Sequence, residues 1–399
     1  MSRILFLTPQ LPYPPNQGAA IRNLNLMKLA AQRYRISVRA FVRSAEEQAG
    51  LEALREWSDD VQTCPAPVRP VARRAAELLT STEPDMARRL RSAAFGRLVA
   101  AAEADVVQVE AIEMAQYAPG VQAPSIFDCH NAEWLLQRRT FQADLARGRL
   151  VGAAYSLLQS LALRRYERAA CRRSAAVMAV SLEDRAALLA LDPGLRVDVI
   201  PNAVDCTWIT PAVEPPRANT FLFTGTLDFR PNVDAVGWLV RDVWPRIRRA
   251  LPDARLRLAG RAPVASICRL DGADGISVAP GPPDMRPYFW SSAVYLAPLR
   301  AGGGSRFKLL EAMAAEMGVV STTLGAEGID ARDGVHLRLA DTPARLAEAA
   351  VQLAHDEAQR RRLGQAARDL VQRCYDWSVL GPRLFEVYER LLGAGAAAA

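Results

Sequence analysis

The 399 residues, half of them hydrophobic, are too many for one core and imply two or three domains. Fifty basic residues against 43 acidic ones leave a net charge of +7, a modest excess that suits an acidic ligand or an anionic membrane surface. The arginines form no aromatic-interleaved stripe, which argues against nucleic-acid binding, and six cysteines without a CxxC pair argue against a zinc ribbon or a disulfide framework.

Met1-Ser-Arg leads into an apolar run at 4–8 that is too short for a signal-peptide core and ends at Pro9, so a cytoplasmic protein is expected. Strands are expected at 4–8, 36–42, 105–109, 125–128, 175–180 and 197–200. Helical patterns lie between them at 21–31, 45–57, 86–102, 132–173 and 182–191. A proline-rich passage, 211–216, reads as a hinge. Beyond it strands follow at 220–224, 255–259, 276–278, 293–297, 319–322 and 336–339, with helices at 233–250, 285–291, 306–317, 342–355 and 356–372. This alternation implies an α/β chain of two Rossmann-like, doubly wound parallel-sheet domains, residues 1–200 and 201–376.

Ligands of open α/β sheets bind beyond the carboxyl ends of the strands. Gly18, Glu110, His130, Asn202, Gly225, Gly260, Arg300 and Glu327 all fall just after expected strands. The segment from Pro298 to Met313 is the most informative. Gly302, Gly303 and Gly304 give up chain entropy for bare backbone, Ser305 is placed to cap the following helix, and Arg306 and Lys308 fall in its first turn. Cations there oppose the helix dipole unless an anion neutralises them, so the segment reads as a diphosphate cradle. Glu311 and Glu327 are placed to touch the same ligand, and the loop ending at Gly18 opens a second helix start to it. His130, in Phe127-Asp-Cys-His-Asn-Ala-Glu-Trp134, can hydrogen-bond a sugar hydroxyl or a reacting oxygen. No His/Asp/Glu set shows metal-ligand spacing, and Asp59-Asp60 sits at a helix end far from any strand, so no metal is expected.

These motifs together resemble the retaining, nucleotide-sugar-dependent glycosyltransferases of the GT-B fold often called family four. The resemblance rests on Ile4-Leu-Phe-Leu-Thr-Pro-Gln-Leu-Pro-Tyr-Pro-Pro with Gly18, the His130 segment, and Ile200-Pro-Asn-Ala-Val-Asp205. It continues in Phe223-Thr-Gly-Thr226 with Pro231-Asn-Val-Asp234, the Gly302–Met313 stretch and Gly325-Ala-Glu-Gly328. It implies two domains facing a cleft, with a UDP-, GDP- or other NDP-sugar donor held by the C-terminal half and no cofactor or metal. A glycan or lipid-linked acceptor would be held by the N-terminal half, and a last helix within 377–399 would return to that half. Donor contacts then fall on Gly18, Gly225, Arg230, Gly302, Gly303, Gly304, Ser305, Glu311 and Glu327, and acceptor contacts on Asn16, Asn131 and Glu133. Catalytic roles fall on His130, Arg306 and Lys308. The expected reaction is transfer of a hexose-type sugar with retention, in cell-surface polysaccharide synthesis.

Two positions depart from that pattern. Relatives often carry glutamates eight positions apart, and Gly303 stands eight before Glu311; relatives also often place an Arg and a Lys where this chain has Thr226 and Pro231. Arg306 and Lys308, with Arg230 as a weaker candidate, are the expected replacement clamp. A nucleotide-sugar 2-epimerase and a non-catalytic nucleotide-binding protein are the alternatives; a dehydrogenase is disfavoured because no G-x-G-x-x-G follows the first strand. Leu150, Ala153, Leu157, Leu158 and Leu161 can share a helical face ahead of Arg164, Arg165, Arg168, Arg172 and Arg173. That face suits either an anionic membrane surface, with the protein peripheral on the inner face of the cell membrane, or core packing under a basic surface.

Overall fold

The computed structural model describes residues 1–303 and 306–398. The chain divides into two compact units, Met1–Pro201 with Leu380–Ala399, and Asn202–Val379. The proline-rich passage 211–216 lies inside the second unit, ahead of its first strand.

The first unit contains β1 (Arg3–Thr8), β2 (Arg35–Val42), β3 (Asp60–Pro65), β4 (Val106–Glu110), β5 (Ser125–Cys129), β6 (Ala176–Ala179) and β7 (Val197–Val199). They form a parallel sheet in the order β3-β2-β1-β4-β5-β6-β7. Helices cover both faces of such a sheet, so its strands read as unbroken apolar runs: Ile4, Leu5, Phe6 and Leu7 are all fully buried. The sequence hides β3. Asp60 opens that strand rather than sitting far from one, because the edge position leaves Asp60, Val61 and Gln62 only partly covered or exposed and breaks the apolar signature.

The second unit contains β8 (Arg217–Thr224), β9 (Arg255–Gly260), β10 (Ile276–Pro280), β11 (Ser292–Ala297), β12 (Gly318–Ser321) and β13 (Arg338–Leu339), parallel in the order β10-β9-β8-β11-β12-β13. In each sheet the strand order reverses once, between β1 and β4 and between β8 and β11. That reversal opens a crevice at the carboxyl edge, where ligands of this architecture bind.

Several helical stretches are shorter than their periodicity suggests. The 132–173 stretch is two helices, Glu133–Ala146 and Leu150–Arg173, parted at Gly148 with φ 69°. The 86–102 stretch breaks where the Ser92 hydroxyl accepts from the Phe95 N–H and starts a new helix, Ala93–Ala100. A helix at Val71–Thr80, absent from the sequence reading, precedes it.

The helix Trp377–Ala398 begins in the second unit and from Leu380 belongs to the first. It is fastened there by Tyr388, fully buried, whose ring lies edge-on to Tyr34 at 5.3 Å and whose hydroxyl donates to Gln108 Oε1 on β4. Arg33 pairs with Glu389 at 3.1 Å and Arg390 with Asp198.

At the carboxyl edge of the second sheet, β8 and β9 nearly touch. A Cβ on Gly260 would lie 1.7 Å from the Gly225 carbonyl oxygen, a backbone atom that cannot turn aside. Gly260→Ala is therefore expected to destabilise the second unit by about 1–3 kcal/mol, read as a lower urea midpoint at unchanged slope.

Candidate functional site

In the second unit, the segments after β8 and β11 flank the switch point, and Lys308 of the Phe307–Ala314 helix, which follows β11, reaches across to the segment after β8. Lys308, in the first turn of that helix, donates from Nζ to Asn232 Oδ1 at 2.6 Å and lies over the Phe223 ring at 4.7 Å. Asn232 is held in turn, its Nδ2 donating to the Thr226 carbonyl at 2.8 Å. The amine stands so close to Gly225 (φ 145°) that a Cβ there would lie 2.6 Å from Nζ. Bare backbone and a half-buried amine thus meet at the end of the central strand.

Arg306 occupies the cap position of the helix rather than its first turn, in extended conformation. Its Nη1 donates to the Gly303 carbonyl at 2.6 Å, and the guanidinium lies where a Cβ on Gly302 (φ 122°) would be, 2.8 Å away. Gly304 and Ser305 lie outside the described residues. Burial first, and the Arg306 charge second, push the Lys308 amine down to about 7 against the pull of Glu311. Burial pushes the Glu311 carboxyl up to about 7 against the pull of Lys308. The helix start therefore crowds two cations and one carboxyl into space where water stabilises none of them well, and an added anion would relieve the cations.

Arg230 opens the Arg230–Trp238 helix and is exposed. Glu327 lies partly buried in the turn after β12, which Gly325 presses against the end of β11: a Cβ there would lie 2.6 Å from the Ala297 carbonyl oxygen. Gly225, Gly302, Gly303, Arg306, Lys308, Glu311 and Glu327 thus share one edge of one sheet. Arg300, also after β11, is turned to Asp234 at 2.9 Å and lies over Trp238.

In the first unit, His130 follows β5 and Glu110 ends β4. His130 Nε2 lies 2.8 Å from Glu110 Oε2 and 3.9 Å from Asp128 Oδ2. Glu110 is fully buried and multiply held: Gln108 Nε2 donates to its Oε1 at 2.6 Å, and the Asn23 amide, oriented to satisfy both neighbours, donates to its Oε2 at 2.9 Å and to the Ala19 carbonyl at 3.0 Å. Burial and the Asp128 charge push the Glu110 carboxyl up to about 6, opposed by His130 and Arg22. Arg22 meets Asp128 in a bidentate pair, both contacts 2.8 Å, and its Nη1 donates to the Pro201 carbonyl at 3.3 Å. Tyr388 completes a chain of contacts through Gln108 and Glu110 to His130.

An ionised carboxylate can only accept, so facing Glu110 the neutral His130 ring carries its proton on Nε2 and leaves Nδ1 as an acceptor. The chain has three histidines, which makes this readable. Long-range nitrogen NMR at pH 7.5 is expected to report the Nε2–H tautomer for His130, and Glu110→Leu is expected to erase that preference.

Asn16 and Gly18 lie exposed in the loop after β1 and at the start of the Gly18–Ala31 helix, whose Arg22 reaches Asp128 at the end of β5. Asn131 and Glu133 bond each other, Nδ2 to Oε1 at 3.1 Å. Burial and then Glu167 push the Glu133 carboxyl up to about 7, while fully buried Glu167 accepts from the Glu133 and Trp134 N–H groups at the helix start.

Residues 218–356 match the family described as glycosyl transferases group 1. Over 221 residues the chain is 31% identical to the phosphatidyl-myo-inositol mannosyltransferase of Mycobacterium tuberculosis, an alignment covering 49% of this chain and 55% of that protein. The chain therefore spans about half the length of the curated relatives it matches. Its backbone is similar to that of a sucrose-phosphate synthase from Thermosynechococcus elongatus, with a TM-score of 0.72 at 16% identity over 99% of this chain and 100% of that one. It is also similar to Anabaena HepE in complex with UDP-glucose, with a TM-score of 0.68 at 15% identity over 98% and 100%.

The chain has the GT-B fold.

Within this GT-B fold, some site neighbours are invisible to linear spacing. Asn232 lies 76 residues from Lys308 and meets it only because β8 and β11 are neighbours. Glu110, Asp128 and His130 come from the ends of two paired strands, and their ligand atoms lie within 4.8 Å of one another. That convergence is metal-like in geometry but poor in chemistry, since both Asp128 oxygens face the Arg22 guanidinium and Glu110 already accepts from Gln108 and Asn23.

Proposed function

We propose that the protein is a retaining, metal-independent glycosyltransferase that moves a hexose-type sugar from a nucleotide diphosphate sugar to a glycan or lipid-linked acceptor. The observation that carries this reading is the half-buried Lys308 amine set against bare Gly225 at the switch point of a unit that matches group 1 glycosyl transferases. A diphosphate is the ligand that such an edge suits: it needs cations, unpaired N–H groups and close backbone approach. The mannosyltransferase named among the relatives and the UDP-glucose held by HepE support the same class of donor.

The donor belongs to the second unit. Lys308, Arg306 and the helix start stabilise the charge that develops on the departing diphosphate. The acceptor belongs to the first unit, where His130, fixed by Glu110, offers an acceptor nitrogen to a hydroxyl. The acceptor oxygen attacks the anomeric carbon on the face that the diphosphate leaves, and its proton passes to a departing phosphate oxygen; no protein nucleophile is required. Cell-surface polysaccharide synthesis, from the cytoplasmic side of the membrane, is the setting this chemistry fits.

The test pairs a thermal-shift screen of UDP-, GDP- and ADP-sugars with product analysis on glycan and lipid-linked acceptors. A stabilising nucleotide sugar and a new glycoside with the donor's anomeric configuration, formed equally with EDTA present, are expected. Free epimer, an inverted product or EDTA-sensitive turnover would each overturn part of the proposal.

A further inference from the structure

The helix Leu150–Arg173 is inside out over its first half. Leu150, Val151, Leu157, Leu158 and Leu161 are exposed, Val151 by 88% and Leu158 by 65% of its surface. The face turned to the protein carries Ser156, Gln159 and Ser160, all buried, with Ala153 among them rather than on the leucine face. Two of those polar groups are tied into the fold: Gln159 Oε1 accepts from the Asp85 N–H at 2.8 Å, and the Ser160 hydroxyl donates to the Trp134 carbonyl at 2.9 Å. The orientation is thus fixed by hydrogen bonds, and it is the reverse of a helix whose outer face meets water.

Over its second half the pattern turns normal. Leu163, Ala170 and Cys171 are buried, and Arg164, Arg165 and Arg168 are exposed. From Leu145 to Arg173 the chain carries seven arginines and one carboxylate, Glu167, which is fully buried. The outward surface is therefore apolar at one end and purely cationic along the rest.

We propose that this helix, with the Arg147–Arg149 turn before it, docks the first unit onto an anionic lipid surface. The exposed leucines and Val151 enter the region between headgroups and acyl chains along about 18 Å of helix, while the arginines lie at the level of the lipid phosphates. Among the described residues no helix is long and apolar enough to cross a membrane, so the contact is with the surface. A second copy of the chain fits this face less well, because leucines packed on leucines would leave the arginine row without the counter-charge that anionic lipid supplies. The surface belongs to the first unit whatever reaction the protein performs.

Vesicle co-sedimentation of the full chain tests the idea without turnover. With vesicles of phosphatidylglycerol and phosphatidylcholine, binding is expected at low salt, with a fall of tenfold or more, on the order expected for several arginines, as salt rises through about 0.5 M. Phosphatidylcholine alone should bind weakly. Val151→Glu with Leu158→Glu should cut partitioning about a hundredfold or more at unchanged melting temperature, since both side chains are exposed. Arg165→Gln with Arg168→Gln should lower it about tenfold and shallow the salt dependence. Equal sedimentation of the wild type and the glutamate variant would overturn the proposal. So would a vesicle-free dimer, seen by sedimentation velocity, that the glutamate variant dissolves, because the face would then be a contact between copies.

Discussion

Lys308→Met is expected to weaken nucleotide-sugar binding about tenfold to a hundredfold and to lower turnover about 10²–10³-fold, with little loss of fold stability. Burial and then the Arg306 charge hold the amine down to about 7 in the free protein. Removing it relieves that crowding, which is why stability should be spared while function is not. The same state gives a signature in pH. A bound diphosphate favours the charged amine and raises its pKa, so the complex takes up a proton. Affinity for a nucleotide sugar, whose phosphates do not titrate in this range, should tighten as pH falls from 9 to 7, by at most about tenfold per unit, and level off below 7. Lys308→Arg keeps the charge at every pH and should remove one proton's share of that slope. Titration calorimetry in two buffers of different ionisation enthalpy reads the proton uptake directly; equal heats in both would contradict it.

Arg22→Met should be the most damaging single change to the first unit, about 3–5 kcal/mol. Arg22 and Asp128 are both essentially inaccessible, and Asp128 gives both oxygens to the guanidinium. The substitution leaves a carboxylate buried without its cation. The paired variant Arg22→Met with Asp128→Leu removes both charges and should regain much of the loss, so a melting temperature lower in the double than in the single variant would refute this account. The drop expected for the single variant is about 10 °C for a unit of this size.

The parallel-sheet architecture is readable from the chain because strands such as 4–8 and 293–297, covered on both faces, are unbroken apolar runs. β3 escapes because an edge strand need not be apolar. The helix breaks at Gly148 and Ser92 escape because periodicity continues through them and only the local cap and the left-handed residue interrupt it. At the candidate site, Gly225 and Lys308 can each be picked from their local setting, but their meeting needs the β8–β11 pairing. Arg22 and Tyr388 carry no local mark: one is an arginine in an apolar helix and the other a tyrosine near the carboxyl end, and each acquires its role from a partner more than a hundred residues away. Linear spacing likewise hid the outward leucines, since the sequence gives a face but not the side that faces the protein.

The first unit is discontinuous: its last helix, from Leu380, is made after the whole second unit. On the ribosome, residues up to Pro201 must therefore wait for the synthesis of 202–379, about 10–35 s at ordinary elongation rates, with Tyr34 and Gln108 lacking Tyr388. The second unit, contiguous in the chain, can mature first. A product released by a stop codon before Leu380 should accordingly show a protease-resistant second half and a first half still open to cleavage, in which the chain of contacts from Gln108 to His130 has lost its far end.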